Sequence, residues 1–328
     1  MPVQALFALL IAAPSATSGG MQSALDPKGN DAAQILEITR VLFAGGGLIF
    51  ITVMLLALLA LFGPAGLRAA LGRHAWIIGG GIAFPVLVLS ALLVYTFMSA
   101  SRMVQAEGPA AARIEVTGEL WWWRVRYLDQ AGKTIFETAN EIHIPAGQPV
   151  DFIVLSDNVI HSFWVPNLAG KIDMIPGHVN KLRVRANAPG TFRGQCAEYC
   201  GAQHARMAFF VVAHTADAYA AWLAAHSQPA SEPGAALLRH GRQLFLDNRC
   251  GLCHAIRGTP AEGRLGPDLT HVGSRLTIAA GSLPNNQGAI AGWITGSQEI
   301  KPGNKMPAFN QFSAEQLRAL SAYLESLQ

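Results

Sequence analysis

Residues 196–207 read Cys196-Ala-Glu-Tyr-Cys200-Gly-Ala-Gln-His204-Ala-Arg-Met207, so two thiols, an imidazole and a thioether fall in one short stretch. Soft sulfur donors at this density select copper among the common metal ions. The thiols stand four residues apart, and His204 and Met207 follow four and three further on, so the segment curls around a centre instead of running past it. His161, which opens the apolar run His161 to Pro166, is an imidazole available to complete such a site. With both thiolates shared between two metal ions, each ion can take one His and leave Met207 and a backbone carbonyl as weak further ligands. That is a dinuclear centre suited to moving electrons. Two other readings stand beside it. A Cys2His2 zinc site would use both thiols, His204 and another His, and would leave Met207 without a role. A Cys196–Cys200 disulfide suits an exported domain, but it leaves the spacing of His204 and Met207 unexplained.

The runs around this stretch indicate what carries it. From Arg113 to about His214 the chain divides into short β-type runs separated by Gly, Pro and Asp turns: 113–116, Trp122 to Tyr127, Val150 to Leu155, Lys181 to Arg185, Thr191 to Gln195 and Ala208 to Val212. Leu182 and Val184 alternate with Lys181, Arg183 and Arg185, the pattern of a strand with one solvated face. Several such strands at this spacing predict an antiparallel β-sandwich or barrel. The turn Ala188-Pro189-Gly190 leads into the run that delivers Cys196, so the ligand-rich stretch joins the last two strands. Rigid strands then position ligands carried on a loop at one end of the sandwich.

Half of the 328 residues are apolar and 14% are charged, a balance unlike that of an ordinary soluble enzyme. The excess lies in the N-terminal region, where Val41 to Leu67 and Ala75 to Ser101 carry no charge. Each exceeds the roughly 20 residues that cross a bilayer, and together they predict a transmembrane hairpin over 35–103. Their connection holds Arg68, Arg73 and His74 with no acid, so the positive-inside rule places it in the cytoplasm and both hairpin ends outside. Ahead of the hairpin, apolar Gln4 to Ala13 followed by small and polar Pro14 to Gly20 resembles a cleavable export signal, although no Lys or Arg precedes it. The net charge of +3 names no partner, and no basic block points to nucleic acid.

All four cysteines fall into two pairs, each inside a ligand or attachment pattern, which marks an exported redox protein. Cys250-Gly-Leu-Cys253-His254 is the haem attachment pattern: two thiols add to the vinyl groups and the adjacent His reaches the iron. A redox or zinc CxxC is the alternative. Gly266-Pro267-Asp268-Leu269 follows at a distance suited to a loop beneath His254, and Met306, before the last predicted helix, offers a thioether for the sixth position. His/Met ligation raises the potential and suits electron transfer more than oxygen chemistry; Met306 as core filler is the plainer reading. Ser227 to Gly234 reads as a flexible, Pro-rich linker. Predicted helices at Pro233 to Asp247 and Ser313 to Leu327, the second opening on a Ser-x-x-Gln capping pattern, frame a loop-rich middle. Such a domain has little apolar core of its own, and a large prosthetic group fills that gap.

Taken together, these motifs resemble subunit II of the haem-copper cytochrome c oxidases, with a cytochrome c domain fused at the C-terminus as in the caa-type enzymes. The resemblance covers the hairpin, a cupredoxin-like domain that includes Lys171 to Gly177, and the cytochrome domain. It implies the hairpin over 35–103, a cupredoxin-like antiparallel β-sandwich or barrel over 113–226 and an all-α class I cytochrome c domain over 236–328; the signal peptide expected over 1–20 and the linker over 227–235 lie outside the resemblance. It implies a dinuclear CuA centre held by His161, Cys196, Cys200, His204, Met207 and the carbonyl of Glu198, and one covalent haem c held by Cys250, Cys253, His254 and Met306. The Glu198 carboxylate would face a magnesium or manganese ion at the junction with subunit I, near Asp173. Trp121, the first of Trp121-Trp122-Trp123, is the point where electrons enter in such proteins; membrane anchoring and core packing are the other uses of an indole cluster. Many members carry an acidic residue near the cytoplasmic end of the second helix, and 63–76 here has none.

The implied function is that of an electron-transfer subunit in the cell membrane, with its two cofactor domains on the outer face. Its partners would be oxidase subunits I and III, a cytochrome c donor and membrane lipid. Oxygen would be reduced in subunit I, not in this chain. A CuA-bearing nitric oxide reductase subunit is the nearest alternative, and a copper-delivery or zinc-binding module is a further one. The soluble propeller of nitrous oxide reductase is excluded by the hairpin, and quinol oxidase subunits lack the cysteines.

Overall fold

The structure, a computed structural model, describes residues 20–104 and 108–328; the expected signal peptide over 1–20 lies outside this range except for Gly20. Helix α1 spans Asn30–Phe62, α2 spans Ala65–Leu71, and α3 (His74–Ile78) continues through a π-helical turn at Gly79–Ala83 into α4 (Phe84–Val104). Two helices, Asn30–Phe62 and His74–Ser101, are long and apolar enough to cross a membrane. Side chains such as Leu55, Phe62, Leu87 and Phe97 stay exposed on them. The charge-free stretch continues to Leu67, but the first helix stops at Phe62. Gly63 takes an extended backbone there, because Pro64 disfavours an α conformation in the residue before it. The π turn coincides with Gly79-Gly80-Gly81 and with Pro85, which has no N–H to offer the preceding turn.

The segment before α1 is laced to the β domain: Arg193 N–H donates to the Met21 carbonyl at 2.7 Å and Lys28 N–H to the Asn167 carbonyl at 2.6 Å. Ala32 and Leu36 are buried. Since α4 ends just before the first strand, both outer ends of the hairpin meet the β domain, and the Arg68–Arg73 connection lies at the opposite end.

The β domain is a sandwich of two five-stranded sheets. Its strands are β1 (Ala112–Glu119), β2 (Trp122–Leu128), β3 (Thr134–Ala139), β4 (Glu141–Pro145), β5 (Val150–Ser156), β6 (His161–Trp164), β7 (Ile172–Met174), β8 (Asn180–Val184), β9 (Gly190–Cys196) and β10 (Ala208–His214). The sheet orders are β3-β2-β1-β5-β8 and β4-β10-β9-β6-β7. Here the expected all-antiparallel arrangement needs correction, because β1 pairs parallel with β5 and β4 parallel with β10. In both cases intervening strands supply the long crossover that a parallel pair requires. Val150, Phe152 and Val154 alternate inward on β5; Phe152 meets Phe163 of the other sheet, which stacks on Phe209, and Trp123 packs against both. Strands β3, β4, β6 and β7 had no clear sequence signal. β4, for example, is largely buried on both faces and carries Glu141 and His143, which breaks the alternation.

After the sandwich come α5 (Ala216–His226), α6 (Ala236–Asp247), α7 (Gln287–Ile300) and α8 (Ala314–Glu325). α8 opens with the full capping box, Ser313 and Gln316 each bonding the other's backbone. α6 begins at Ala236 instead of Pro233, since Ala235 is still extended. α7 lies in the middle expected to be loop. Gly288, Gly292 and Gly296 dilute its pattern, yet Ile290 and Ile294 bury one face. The stretch expected as a mobile linker has no regular secondary structure but is held down. Arg257 donates to the carbonyls of His226 and Ser227, His271 meets the Gln228 carbonyl at 3.0 Å, and Ala230 N–H donates to Arg257.

Candidate metal and haem site

Antiparallel pairing brings the ligand-bearing residues of the sandwich together. β9 against β10 sets Cys196 N–H onto the Met207 carbonyl at 3.0 Å, and β6 against β9 pairs Phe163 with Cys196. The Cys196 and Cys200 sulfurs lie 3.7 Å apart. That is far beyond the roughly 2.05 Å of a disulfide, so the disulfide reading falls. His161 Nδ1 is 3.8 Å from Cys196 Sγ and His204 Nδ1 is 3.7 Å from Cys200 Sγ. Met207 Sδ is 3.8 Å from Cys200 Sγ, and the Glu198 carbonyl is 3.2 Å from Cys196 Sγ. Each thiol therefore has its own imidazole, and six donors of the expected types surround one small volume. His161, Cys196 and Cys200 are buried and converge as a potential metal-holding group. The Cys200 thiol foremost, then His161, hold the Cys196 pKa down at about 3 against the opposing effect of burial, while the Cys200 pKa is raised by the same pairing. A thioether beside two thiolates and two imidazoles fits copper and gives zinc nothing to use.

The tautomer of His161 follows from its neighbours. Val159 N–H donates to Asn158 Oδ1 at 2.9 Å, which identifies that atom as an acceptor, and His161 Nε2 lies 2.9 Å from the same oxygen. Nε2 thus carries the proton and Nδ1 is left with its lone pair toward the thiols. Gly118 makes the room, because a Cβ there would stand 2.6 Å from the His161 ring. Trp121 Nε1–H donates to the Cys200 carbonyl at 2.8 Å, so its indole lies directly on the copper loop. Trp123 is fully buried in the core. Trp122 lies under the Arg124 guanidinium at 4.7 Å. The three indoles have three different environments.

In the C-terminal domain Cys250, Cys253, His254 and Met306 line one cavity with Leu269, Ile294, Trp293 and Leu320. His254 Nδ1 meets the Pro267 carbonyl at 2.7 Å, which makes Nδ1 the donor and frees Nε2. Burial lowers the His254 pKa and favours the neutral imidazole an iron needs. Gly266 supplies clearance, since a Cβ would sit 2.6 Å from His254 Cε1. Met306 is fixed through its backbone: Ser297 Oγ and Gln298 Nε2 donate to its carbonyl, and its N–H donates to Asn304 Oδ1. Arg275, fully buried on the cavity wall, has an Nε with no partner. An apolar cavity with two thiols, a neutral His, a thioether and an orphaned cationic donor fits haem c. The cavity also reaches Leu120, Trp121 and Trp122 of the β domain.

Residues 115–214 match the model of the cytochrome c oxidase subunit II periplasmic domain, and residues 238–328 match the cytochrome c model. The cytochrome c oxidase subunit 2 of Alkalihalophilus pseudofirmus is 41% identical over 248 residues, covering 74% of this chain and 70% of that protein. The chain belongs to the cytochrome c oxidase subunit II family. The subunit 2 of Bacillus sp. strain PS3 is 29% identical over 262 residues, 74% of this chain and 72% of its own. Among solved structures, the periplasmic domain of subunit II of the Bradyrhizobium japonicum cytochrome oxidase is 30% identical over 36% of this chain and 94% of that one, with a TM-score of 0.33. The subunit II domain implies CuA copper and the cytochrome c domain implies haem c, while membership of the subunit II family implies association with other oxidase subunits and a membrane anchor.

Around the subunit II loop, Glu198 exposes its carboxylate beside Lys171 Nζ at 3.8 Å, and the same ammonium is 4.0 Å from Asp173. Gly118, Asn158, Asn140 and Lys301 had drawn no attention in the sequence. Asn140 takes a left-handed backbone, φ 62°, and its Oδ1 accepts Trp123 N–H at 2.8 Å, fixing the strand that carries Trp122 and Trp123 directly after Trp121. An Asn between two β runs is the only local signal it gave. Asn158 acts on His161 three residues on, and Gly118 and Lys301 act through contacts distant in sequence.

Proposed function

We propose that this chain is the electron-receiving subunit of a terminal cytochrome c oxidase. Electrons from an external cytochrome c are received in the C-terminal domain and leave through the copper loop toward the oxygen-reducing haem-copper site of subunit I, where oxygen becomes water and protons are translocated. The observation that carries this reading is the position of Trp121: its indole bonds the copper loop at Cys200 while its flank lines the haem cavity. Cys250, Cys253, His254 and Met306 would hold haem c, and His161, Cys196, Cys200, His204, Met207 and the Glu198 carbonyl would hold two copper ions. Bound there, these groups supply one-electron redox chemistry.

The protein's own residues keep that chemistry fixed. Asn158 and the Pro267 carbonyl set the tautomers of His161 and His254, and the strand register holds Met207 beside the thiols. Such fixed shells keep ligand positions constant between charge states. The Glu198 carboxylate, now beside Lys171, would face a magnesium or manganese ion at the junction with subunit I, with Asp173 nearby. The hairpin anchors the chain in the cell membrane with both cofactor domains outside and subunits I and III around its exposed apolar helices.

Metal and haem analysis of the purified complex, with its visible spectrum recorded under oxygen and under nitric oxide, tests the proposal. Two coppers and one covalent haem per chain with oxygen as acceptor are expected. Zinc, or a single copper, would sink the CuA assignment, and turnover with nitric oxide alone would move the chain to the nitric oxide reductase reading.

A further inference from the structure

The structure assigns Lys301 a positioning role: it clasps the loop that carries Met306 onto Trp121 and so sets the placement of the haem cavity over the copper loop. The electron-transfer half of this assignment rests on the function proposed above, whereas the clasp is a matter of contacts alone.

Lys301 follows α7 directly and is 2% exposed. Its Nζ donates to the Trp121 carbonyl, in the β domain, at 2.7 Å and to the Ala279 carbonyl, in the helical domain, at 3.2 Å. Among the described residues no carboxylate lies within ion-pair distance of it. Burying an ammonium on two carbonyls alone is costly, and an apolar side chain of similar length would fill the space with less penalty. An amine kept buried under those conditions needs a reason, and the neighbouring residues give one.

Three consecutive residues are tied across the same seam. The Ile300 carbonyl accepts from Arg206, Lys301 donates to Trp121, and the Pro302 carbonyl accepts from Gln203 at 2.7 Å. Gln203 and Arg206 belong to the stretch that holds Cys200, His204 and Met207. The Trp121 indole is enclosed between Gly201 and Gly303, where added Cβ atoms would lie 3.2 and 3.8 Å from its ring. Asn304 donates its Nδ2–H to the Lys301 carbonyl at 2.8 Å and accepts Met306 N–H at its Oδ1. One continuous set of contacts therefore runs from the Cys200 carbonyl through Trp121 and Lys301 to the backbone of Met306. Of its members, Lys301 alone bonds both domains through a buried amine, and any separation of the domains strips that amine of one of its two carbonyl partners.

The test uses the assembled oxidase carrying K301M, K301R or no substitution. Hydrogen exchange followed by mass spectrometry over 197–206 and 279–304 reads the clasp, and the rate of haem-to-copper transfer after rapid photoreduction reads the positioning. For K301M, faster exchange in both segments and transfer slowed by about tenfold or more are expected, as for other rates that depend on placement to about 1 Å. The spectra of both centres should be unchanged, and K301R, which keeps charge and donors, should recover most of the rate. Unaltered exchange in K301M overturns the clasp; faster exchange with unaltered transfer overturns the positioning role. If K301M loses either spectrum, K301Q, which keeps one donor, is read by the same two criteria. Should the chain prove to hold other metals, the exchange measurement still decides the clasp by itself.

Discussion

Gly266 shows how narrow the tolerances are at a single residue. The loop beneath His254 approaches so closely that a methyl group would fall within 2.6 Å of the imidazole, while Nδ1 is bound to the next carbonyl in the chain. Gly266→Ala is expected to push the ring off its axis and to destabilise the domain by about 1–3 kcal/mol, the usual range for overpacking. Thermal unfolding of the purified complex checks the energy, and loss of the low-spin haem spectrum checks the geometry; an unchanged spectrum would mean that the loop can retreat. At this scale the ligands were legible because their types and spacings are local. Cys196, Cys200, His204 and Met207 declare themselves within one loop, and Cys250, Cys253 and His254 within another. His161 could be named as a ligand, but which of its nitrogens faces the thiols depends on Asn158 and on the Val159 N–H.

Among the elements, the helical domain is organised by the contact of α6 with α8. Gly241 lies where a Cβ would stand 2.1 Å from the Ala319 carbonyl, so the two helices meet backbone to backbone. Gly241→Ala is expected to cost about 1–3 kcal/mol by forcing them apart, although Ala is the better helix former by about 1 kcal/mol in an unconstrained position. A denaturation midpoint equal to or higher than that of the parent would show that the helices can shift without loss. The ends of α8 were legible because the Ser313 capping box is written in adjacent residues. α7 was not, since its glycines hide the period, and its burial of Ile290 and Ile294 comes only from neighbours around the haem cavity. Strand β4 was hidden for a related reason: Glu141 and His143 are polar, and their burial is matched by His214 and by Leu276 N–H from the other domain.

At the scale of the whole molecule, the two external domains are joined by more than the connecting segment. Arg124, paired with Glu119 and Glu137, donates to the Arg264 carbonyl at 2.7 Å, and Glu141 accepts Leu276 N–H at 2.7 Å. Inserting four Gly/Ser residues between Glu232 and Gly234, beyond the bonds that hold Gln228 and Ala230, should therefore leave haem-to-copper transfer nearly unchanged, because the domains keep these direct bonds and a longer connection costs only about 0.6 kcal/mol per doubling. A marked slowing would show that the segment itself sets the distance.

A column of rings, stacked except for the tilted last pair, crosses the same junction. His143 and Trp222 lie 4.0 Å apart, Trp222 and His226 4.3 Å, and His226 and His271 4.7 Å. Burial, then the neighbouring His271, pulls the His226 pKa from 6.5 down to about 4. The unfolded chain takes up this proton more readily than the folded one, so the stability is complete above pH 6.5 and is lost as pH falls from 6.5 toward 4. Thermal unfolding of the complex at pH 7 and pH 4.5 should show that loss, and His226→Gln should show a smaller one; equal losses in both would place the sensitivity elsewhere.

The sequence by itself determined the candidate donor sets, the hairpin, the sandwich and the haem attachment pattern, because each is written in local spacing or in a period of side chains. The tertiary structure decided how the strands pair in parallel, which imidazole nitrogen faces the thiols, and that the haem cavity opens on Trp121 with Lys301 buried between. Those features depend on residues brought together from distant positions, where the energy lies in contacts that no local pattern records.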